Sequence, residues 1–440
     1  MKKILIIFLI FIVSCSFDDK SGIWNNNDKL SKKKLDLFDE FKTLSSPEET
    51  FNKTINIQKN FEFILPSKKS VKNWNDFFYN NSNNFDNFNY SELNKLKSKS
   101  KKIFRHENNE YFLLEENNVI LSNKKGFIFI FSLNEQKIIS QFNFYKKNFK
   151  KIPKLLNFIV ENNIIYVIDN IGYIYAFDYK SNKLIWAKYY KVPFKSNIKI
   201  FKNKIICANQ NNDLYFIDKL SGNILSQIPT EEIVIKNQFI NNISISENST
   251  FFLNTFGSLY AIDSDKMNIR WFLNLNQSTK IDTNNFYSGN EIIHNNEKIV
   301  VSSNKHTYIL DLITGSITHK KNFKPLVKPV ITKRYLFAIS DKDFLLAIDL
   351  KSGKLIYSYD INKKIAEFYN IKKNTVDFKN MMLVNNKIFI FLKNSYVLKF
   401  LVNGELEQVI KLPSKINTQP IIVSDKIIYL DNKNKLLLID

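Results

Sequence analysis

A short phrase recurs eight times along this chain: a turn, then an apolar run that closes on an acid or on a residue standing in for one. The copies are Phe127–Phe131, Tyr173–Asp178, Leu214–Asp218, Leu259–Asp263, Tyr308–Asp311, Leu345–Asp349, Tyr396–Phe400 and Leu436–Asp440. Their last residues are separated by 47, 40, 45, 48, 38, 51 and 40 positions. A second run rich in Ile, Val, Phe and Tyr precedes each copy: Val119–Ser122, Ile164–Ile168, Ile205–Ala208, Thr250–Leu253, Ile299–Ser302, Leu336–Ile339, Ile388–Leu392 and Ile427–Leu430. Runs this short and this rich in β-branched and aromatic residues form strands rather than helices.

Glycine, or Asn and Asp with Lys, separates the two runs, and Ser221-Gly222, Thr314-Gly315, Ser352-Gly353 and Asn403-Gly404 follow the second one. Both sets suit tight hairpins. Each unit is therefore a meander of antiparallel strands, and about 40–50 residues is the length of one four-stranded propeller blade. One such sheet cannot bury both faces, so the sheets must stack, and stacking around a channel protects most edges. The expected fold is all-β: an eight-bladed β-propeller of four-stranded antiparallel blades. The eighth copy runs only to Asp440, so its fourth strand is expected from upstream, around Leu96–Phe104, closing the ring with an N-terminal strand.

The start of the chain reads differently. Met1-Lys2-Lys3 is basic, Ile4–Val13 is apolar, and Ser14-Cys15 follows. Ten apolar residues span about 15 Å as a helix, half of a hydrocarbon core, which is a signal peptide's length and not a membrane anchor's. The domain expectation is a signal peptide over 1–14, a tether over 15–70 with one short helix near Leu35–Leu44, and the propeller over 71–440.

The formal charge is +22, from 64 basic and 42 acidic residues. Arginine stands only at positions 105, 270 and 334. Lysine is the poorer residue for bidentate phosphate or base recognition, and the lysines are spread over every turn, so no nucleic-acid partner is expected. Diffuse attraction to anionic headgroups fits the composition better. His106, His294, His306 and His319 show no metal-ligand spacing, and no metal site is expected. Seven of the nine glycines occupy hairpins, which leaves no glycine-rich phosphate cradle. The acids at Asp178, Asp218, Asp263, Asp311 and Asp349 repeat with the unit, as turn formers do and catalytic acids do not. Trp186, Trp271, His319 and Tyr357 each stand eight residues after the acid and are expected to pack blade on blade. Cys207 lies in an apolar run and reads as a buried small hydrophobe. No catalytic residue and no cofactor is assigned.

Gly257-Ser-Leu-Tyr-Ala-Ile-Asp263, Gly172-Tyr-Ile-Tyr-Ala-Phe-Asp178 with Trp186, and Leu345-Leu-Ala-Ile-Asp-Leu-Lys-Ser-Gly353 resemble the repeat of pyrroloquinoline-quinone-type propellers. Ile12-Val-Ser-Cys15 resembles a bacterial lipobox. Together they resemble the BamB-like family of outer-membrane assembly lipoproteins. That resemblance implies a non-enzymatic scaffold, acylated at Cys15 and held at the periplasmic face of the outer membrane. It implies a partner in the periplasmic domains of the barrel subunit, and unfolded outer-membrane proteins as further partners. The family's contact loop matches Ile233-Val-Ile-Lys236, so Ile233, Ile235 and Lys236 are the expected docking residues, with lysine where the family has arginine. The family's neighbouring loop carries aspartates, whereas Asn284-Asn-Phe-Tyr-Ser-Gly289 has none. The repeat is also similar to that of quinoprotein dehydrogenases, whose calcium site and vicinal cysteine pair find no counterpart here. A surface-anchored propeller binding peptide or sugar is the other alternative, and it requires an aromatic-lined channel mouth.

Overall fold

A computed structural model describes residues 51–145, 149, 151–232, 238–276 and 287–440, together with the backbone of two short strands nearer the N-terminus. The chain divides into two compact units, Met1–Ser46 and Pro47–Asp440. In the first, Ser16–Phe17 pairs antiparallel with Trp24–Asn25. Cys15, the signal peptide and the helix expected near Leu35–Leu44 lie outside the described residues.

The second unit is an eight-bladed propeller. Its blades span 113–143, 156–189, 199–228, 242–274, 293–321, 330–360, 378–411 and 421–439, each sheet being antiparallel from its innermost to its outermost strand. The recurring runs form the second and third strands of every blade, and they are buried nearly throughout, as in Ile164–Asp169 and Tyr173–Asp178. Such strands lie between neighbouring sheets and have no solvent face to alternate with. Outermost strands do alternate, as in Lys137–Asn143.

Leu96–Lys99 supplies the fourth strand of the eighth blade, pairing Leu437 with Lys99 and Ile439 with Leu96. It even reproduces the repeat's irregularity. In every blade the pairing of third and fourth strands slips near the end of the third strand, just before the acid where there is one: Ala176/Phe177, Ala261/Ile262 and Ala347/Ile348 in blades two, four and six, and Leu438/Ile439 in the eighth. A bulge there adds twist and turns the outer strand toward the next blade.

The aromatic positions and the turn glycines meet across that gap. The Trp186 ring lies over Gly222 of the following blade, where a β-carbon would fall 2.7 Å from it, and Trp186 Nε1 donates to Lys219 O at 3.2 Å. Trp271 lies over Gly315 in the same way and donates to Ile313 O at 2.9 Å. His319 over Gly353 repeats the latch, and over Gly404 the nearest ring is that of Tyr359, with the expected Tyr357 behind it, 3.2 Å from where a β-carbon would fall. Aspartates hold those turns and the equivalent one of blade four: Asp218 accepts from Ser221 N–H and Asp349 from Ser352 N–H at 2.8 Å, Asp311 from Thr314 N–H at 3.0 Å, and in blade four Asp263 from Lys266 N–H at 2.8 Å. Hydrogen bonds from Lys266 N–H and the Arg270 guanidinium hold the Asp263 carboxyl down at about 2.

The tether expected over 15–70 gives way to packed chain from Phe51 onward. Phe51 is buried on Phe323, and Ile55 exchanges backbone hydrogen bonds with Ser358 on the outermost strand of blade six. Phe63 packs edge-on against Tyr335 and Tyr357 of the same blade. Alternating aromatic residues at Phe61 and Phe63 are what a strand laid on a sheet needs, although no repeat marks them.

Candidate functional site

Every blade of a propeller presents its innermost strand to the hub with one edge unpaired, and those backbone groups need partners once water is excluded. Residues 71–88 supply them. Val71 O accepts from Ser424 N–H of blade eight, Trp74 pairs both ways with Leu114 of blade one, and Asn75 O accepts from Val160 N–H of blade two. Lys199 of blade three reaches Asp76 and Asn80 O, and Asn81 O and Ser82 O accept from Ile245 and His294 N–H of blades four and five. Asn84 exchanges two hydrogen bonds with Ile331 of blade six, and Asn87–Phe88 runs parallel to Leu383–Val384 of blade seven. The segment thus visits all eight blades once, in ring order. Asparagine suits this path because its side-chain amide carries the donor and acceptor of a peptide group. Asn83 Nδ2 alone bridges Ile243 O and Ile292 O, each at 3.0 Å.

Lys199 is fully buried, and its ammonium lies 2.7 Å from the buried Asp76 carboxylate. Burial holds that lysine below its usual range, opposed by the Asp76 charge. Lys328 of blade six donates to Asn83 O at 2.7 Å and stands 3.4 Å above the centre of the Phe85 ring. Burial pushes Lys328 down to about 7, the Glu291 carboxylate opposing.

The threading segment crosses the far ends of the innermost strands, beside the hairpins that follow them. On the side of the blade-to-blade connections the hub holds a cavity of about 750 Å³. Trp74, Phe77, Phe78 and Phe85 line its depth, and Glu110, Tyr111, Glu291, Lys328 and Lys379 line its walls. Lys379 and Glu110 pair at 2.7 Å. Phe77 stacks on Tyr111 and Phe78 meets the same ring edge-on.

Ile233, Ile235 and Lys236 lie outside the described residues, but both stems of their connection are well placed. Glu231 accepts from Asn254 Nδ2, the Ser258 hydroxyl and the Tyr260 hydroxyl, at 2.8, 2.8 and 2.6 Å. On the other side Asn241 donates through its backbone to Lys195 O and through its side chain to Asn209 O. Phe239 then packs edge-on against Tyr287, with ring centres 5.0 Å apart, and so joins this connection to the next one, which contains the Asn284–Gly289 motif. The sequence paired these two connections and included Tyr287 in the second motif, but singled out neither Phe239 nor Glu231. Trp74 to Tyr90, thick with Asn and Phe, reads in sequence as an irregular lead-in to the ring, and its path through the hub was not foreseen.

A family description, Outer membrane protein assembly factor BamB, matches residues 124–366. No curated protein matches the chain in sequence. Among solved structures, BamB from Moraxella catarrhalis superposes with a TM-score of 0.62 at 10% identity, covering 79% of this chain and 99% of that one. The quinohemoprotein alcohol dehydrogenase from Comamonas testosteroni gives 0.60 at 10% identity, covering 81% and 76%. The computationally designed Ika8 protein gives 0.55 at 9%, covering 77% and 99%. At such identities the likeness is one of fold, shared by an assembly factor, an enzyme and a design.

The enzyme's kind of cofactor was therefore tested against the cavity. The chain has only Cys15 and Cys207, and Cys207 is buried in the second strand of blade three, so no vicinal pair can cover a quinone. Among the described residues no group of three His, Cys, Asp or Glu stands ready to hold a metal ion. Of the cationic groups lining the cavity, Lys379 is engaged by Glu110 and Lys328 by Asn83, while Lys393 is exposed. The residues present do not fit that cofactor. With more than half of the sequence matched and the ring of blades in place, the chain belongs to the family of the outer membrane protein assembly factor BamB.

Proposed function

We propose that the chain is a non-enzymatic scaffold lipoprotein of outer-membrane β-barrel assembly, acylated at Cys15, held on the periplasmic face of the outer membrane and docked through propeller loops onto the barrel subunit. The observation that carries this reading is the contact of Phe239 with Tyr287. It joins a described residue of each of the two connections that the family resemblance singles out, residues 229–241 and 275–291. Ile233, Ile235 and Lys236 are the docking residues on this reading, and clients are unfolded outer-membrane proteins.

Glu231 and Asn241 have a supporting part. A loop whose stems are fixed by buried hydrogen bonds loses less entropy on binding than a loose one. A single lysine replacing a fork-shaped arginine supplies charge without bidentate geometry, so the apolar side chains carry more of the contact.

The test is recovery of the barrel subunit on the lipidated protein from envelope fractions. Ile235→Ala with Lys236→Glu lowers recovery at least tenfold, while Glu231→Gln, which keeps the loop sequence, lowers it less. Unchanged recovery with the double variant overturns the docking assignment. Metabolic labelling with palmitate, lost in Cys15→Ser, tests the anchor separately.

A further inference from the structure

The ring's two faces differ in a way that the net charge alone does not show. The connection from blade six to blade seven contains the helix Ile361–Tyr369, capped by the Asp360 side chain on Lys363 N–H and ended by Asn370 in the left-handed conformation. Ile361 and Asn362 are buried, and Ile365 packs on the core. The same stripe runs on at the C-terminal end of the helix into Phe368 and Tyr369, and Ile371 follows in the turn; these three are 46, 47 and 58% exposed, with Phe368 and Tyr369 edge to face at 5.3 Å. Four lysines flank them, at 363, 364, 372 and 373. Lys363 and Lys373 pair with Glu367 and Asp360. Lys364 lies over the Tyr359 ring, and Lys372 is exposed.

The same chemistry recurs on that face in the connection from blade one to blade two. There Phe149, Ile152 and Leu155 are exposed beside the exposed Lys151, and residues 144–155 contain no acid. On the opposite face Leu220 and Ile313 are exposed in turns held by aspartates, with no aromatic residue and no helix in those turns. Aromatic and aliphatic side chains set among lysines are the signature of an interfacial contact with an anionic bilayer. Among the described residues no helix is long and apolar enough to cross a membrane.

We propose that the helix Ile361–Tyr369 and its following turn rest on the surface of an anionic lipid bilayer. Phe368, Tyr369 and Ile371 enter the headgroup region, and Lys364 and Lys372 meet lipid phosphate. The inference is independent of the barrel-subunit contact, which uses residues 229–241 and 275–291.

The experiment compares two positions on the full chain. A nitrobenzoxadiazole label is placed at Tyr369→Cys or, on the opposite face, at Glu135→Cys. Both carry Cys15→Ser, so no acyl chain contributes, and Cys207 is buried, so only the introduced thiol reacts. Retention by the apolar N-terminus is common to both, and the difference between the labels reads the ring. With vesicles of phosphatidylglycerol and phosphatidylcholine the label at 369 shifts to the blue and the label at 135 does not. Pure phosphatidylcholine abolishes the shift. Lys364→Gln and Lys372→Gln each lower the binding constant about fivefold, the effect expected of one basic residue near an anionic surface. Equal response at both positions, no response at either, or indifference to phosphatidylglycerol overturns the proposal. So does a shift that requires envelope protein and not lipid, which would assign the helix to a protein partner.

Discussion

From blade two to blade six the ring is built of like parts, and from blade six round to blade two it is not. In the first arc each gap between neighbouring sheets holds its own hydrophobic cluster, four clusters for four gaps. In the second arc the clusters merge into one, because Phe61, Phe63, Trp74, Phe77, Phe85 and Phe88 of the N-terminal segment bridge them. The first arc is held by contacts between sequence neighbours, the second by contacts spanning some 300 residues, such as Ile57 N–H to the Tyr359 hydroxyl. Repetition explains how blades stack. It does not explain how a stack becomes a closed ring, and the unrepeated segment does that work.

The largest break in this comparison comes from the hub. Asp76→Ala strands the buried Lys199 ammonium with no counter-charge, and removing one partner of a buried pair costs about 3–5 kcal/mol. Chemical denaturation checks this, and Asp76→Ala combined with Lys199→Met should recover most of the loss. A loss below 1 kcal/mol for the single variant would show that blade three, in the first arc, does not depend on the threading segment. The blade latches come next. Trp271→Ala gives up a hydrogen bond to Ile313 O and a half-buried ring, about 2 kcal/mol. Because Trp186 makes the same latch two blades away, the Trp186→Ala loss should be similar and additive with it. A double-mutant measurement that departs from additivity would show that the first arc is not modular.

The smallest effect is that of acid. Hydrogen bonds depress the carboxyls of Asp178, Asp218, Asp263, Asp311 and Asp349. A depressed folded value means that the stabilisation is complete above the ordinary aspartate value of 3.8 and is lost as the pH falls through the folded values, to about 2 for Asp263. Melting temperature should therefore fall between pH 4 and pH 2, and Asp263→Asn should flatten part of that fall. All five residues are turn formers, so their effect should be spread evenly around the arc that carries them.

Much of the architecture was legible because it repeats. Hairpin glycines, turn aspartates and aromatic latches recur at fixed offsets, and Leu96–Lys99 could be anticipated because the eighth unit lacked a strand. The innermost strands were not legible. Ile293–His294 and Val330–Ile331 are two residues long, and residues such as Asn197, Lys199 and His294 break the apolar pattern because a narrow hub requires hydrogen bonds. The threading path was illegible for a related reason: asparagine side chains satisfy each blade with no periodicity to betray them. Of the candidate site, the sequence named the two connections, but their junction through Phe239 and Tyr287 needs a fold to bring residues 48 positions apart together.

The order of those hub contacts has a kinetic consequence. Residues 71–88 leave the ribosome before any blade exists, yet their last partners, Leu383–Val384 and Ser424, are made near the end of synthesis. This early segment therefore cannot complete its pairing until the last blades are made, and until then it remains an asparagine- and phenylalanine-rich ribbon open to chaperones and proteases.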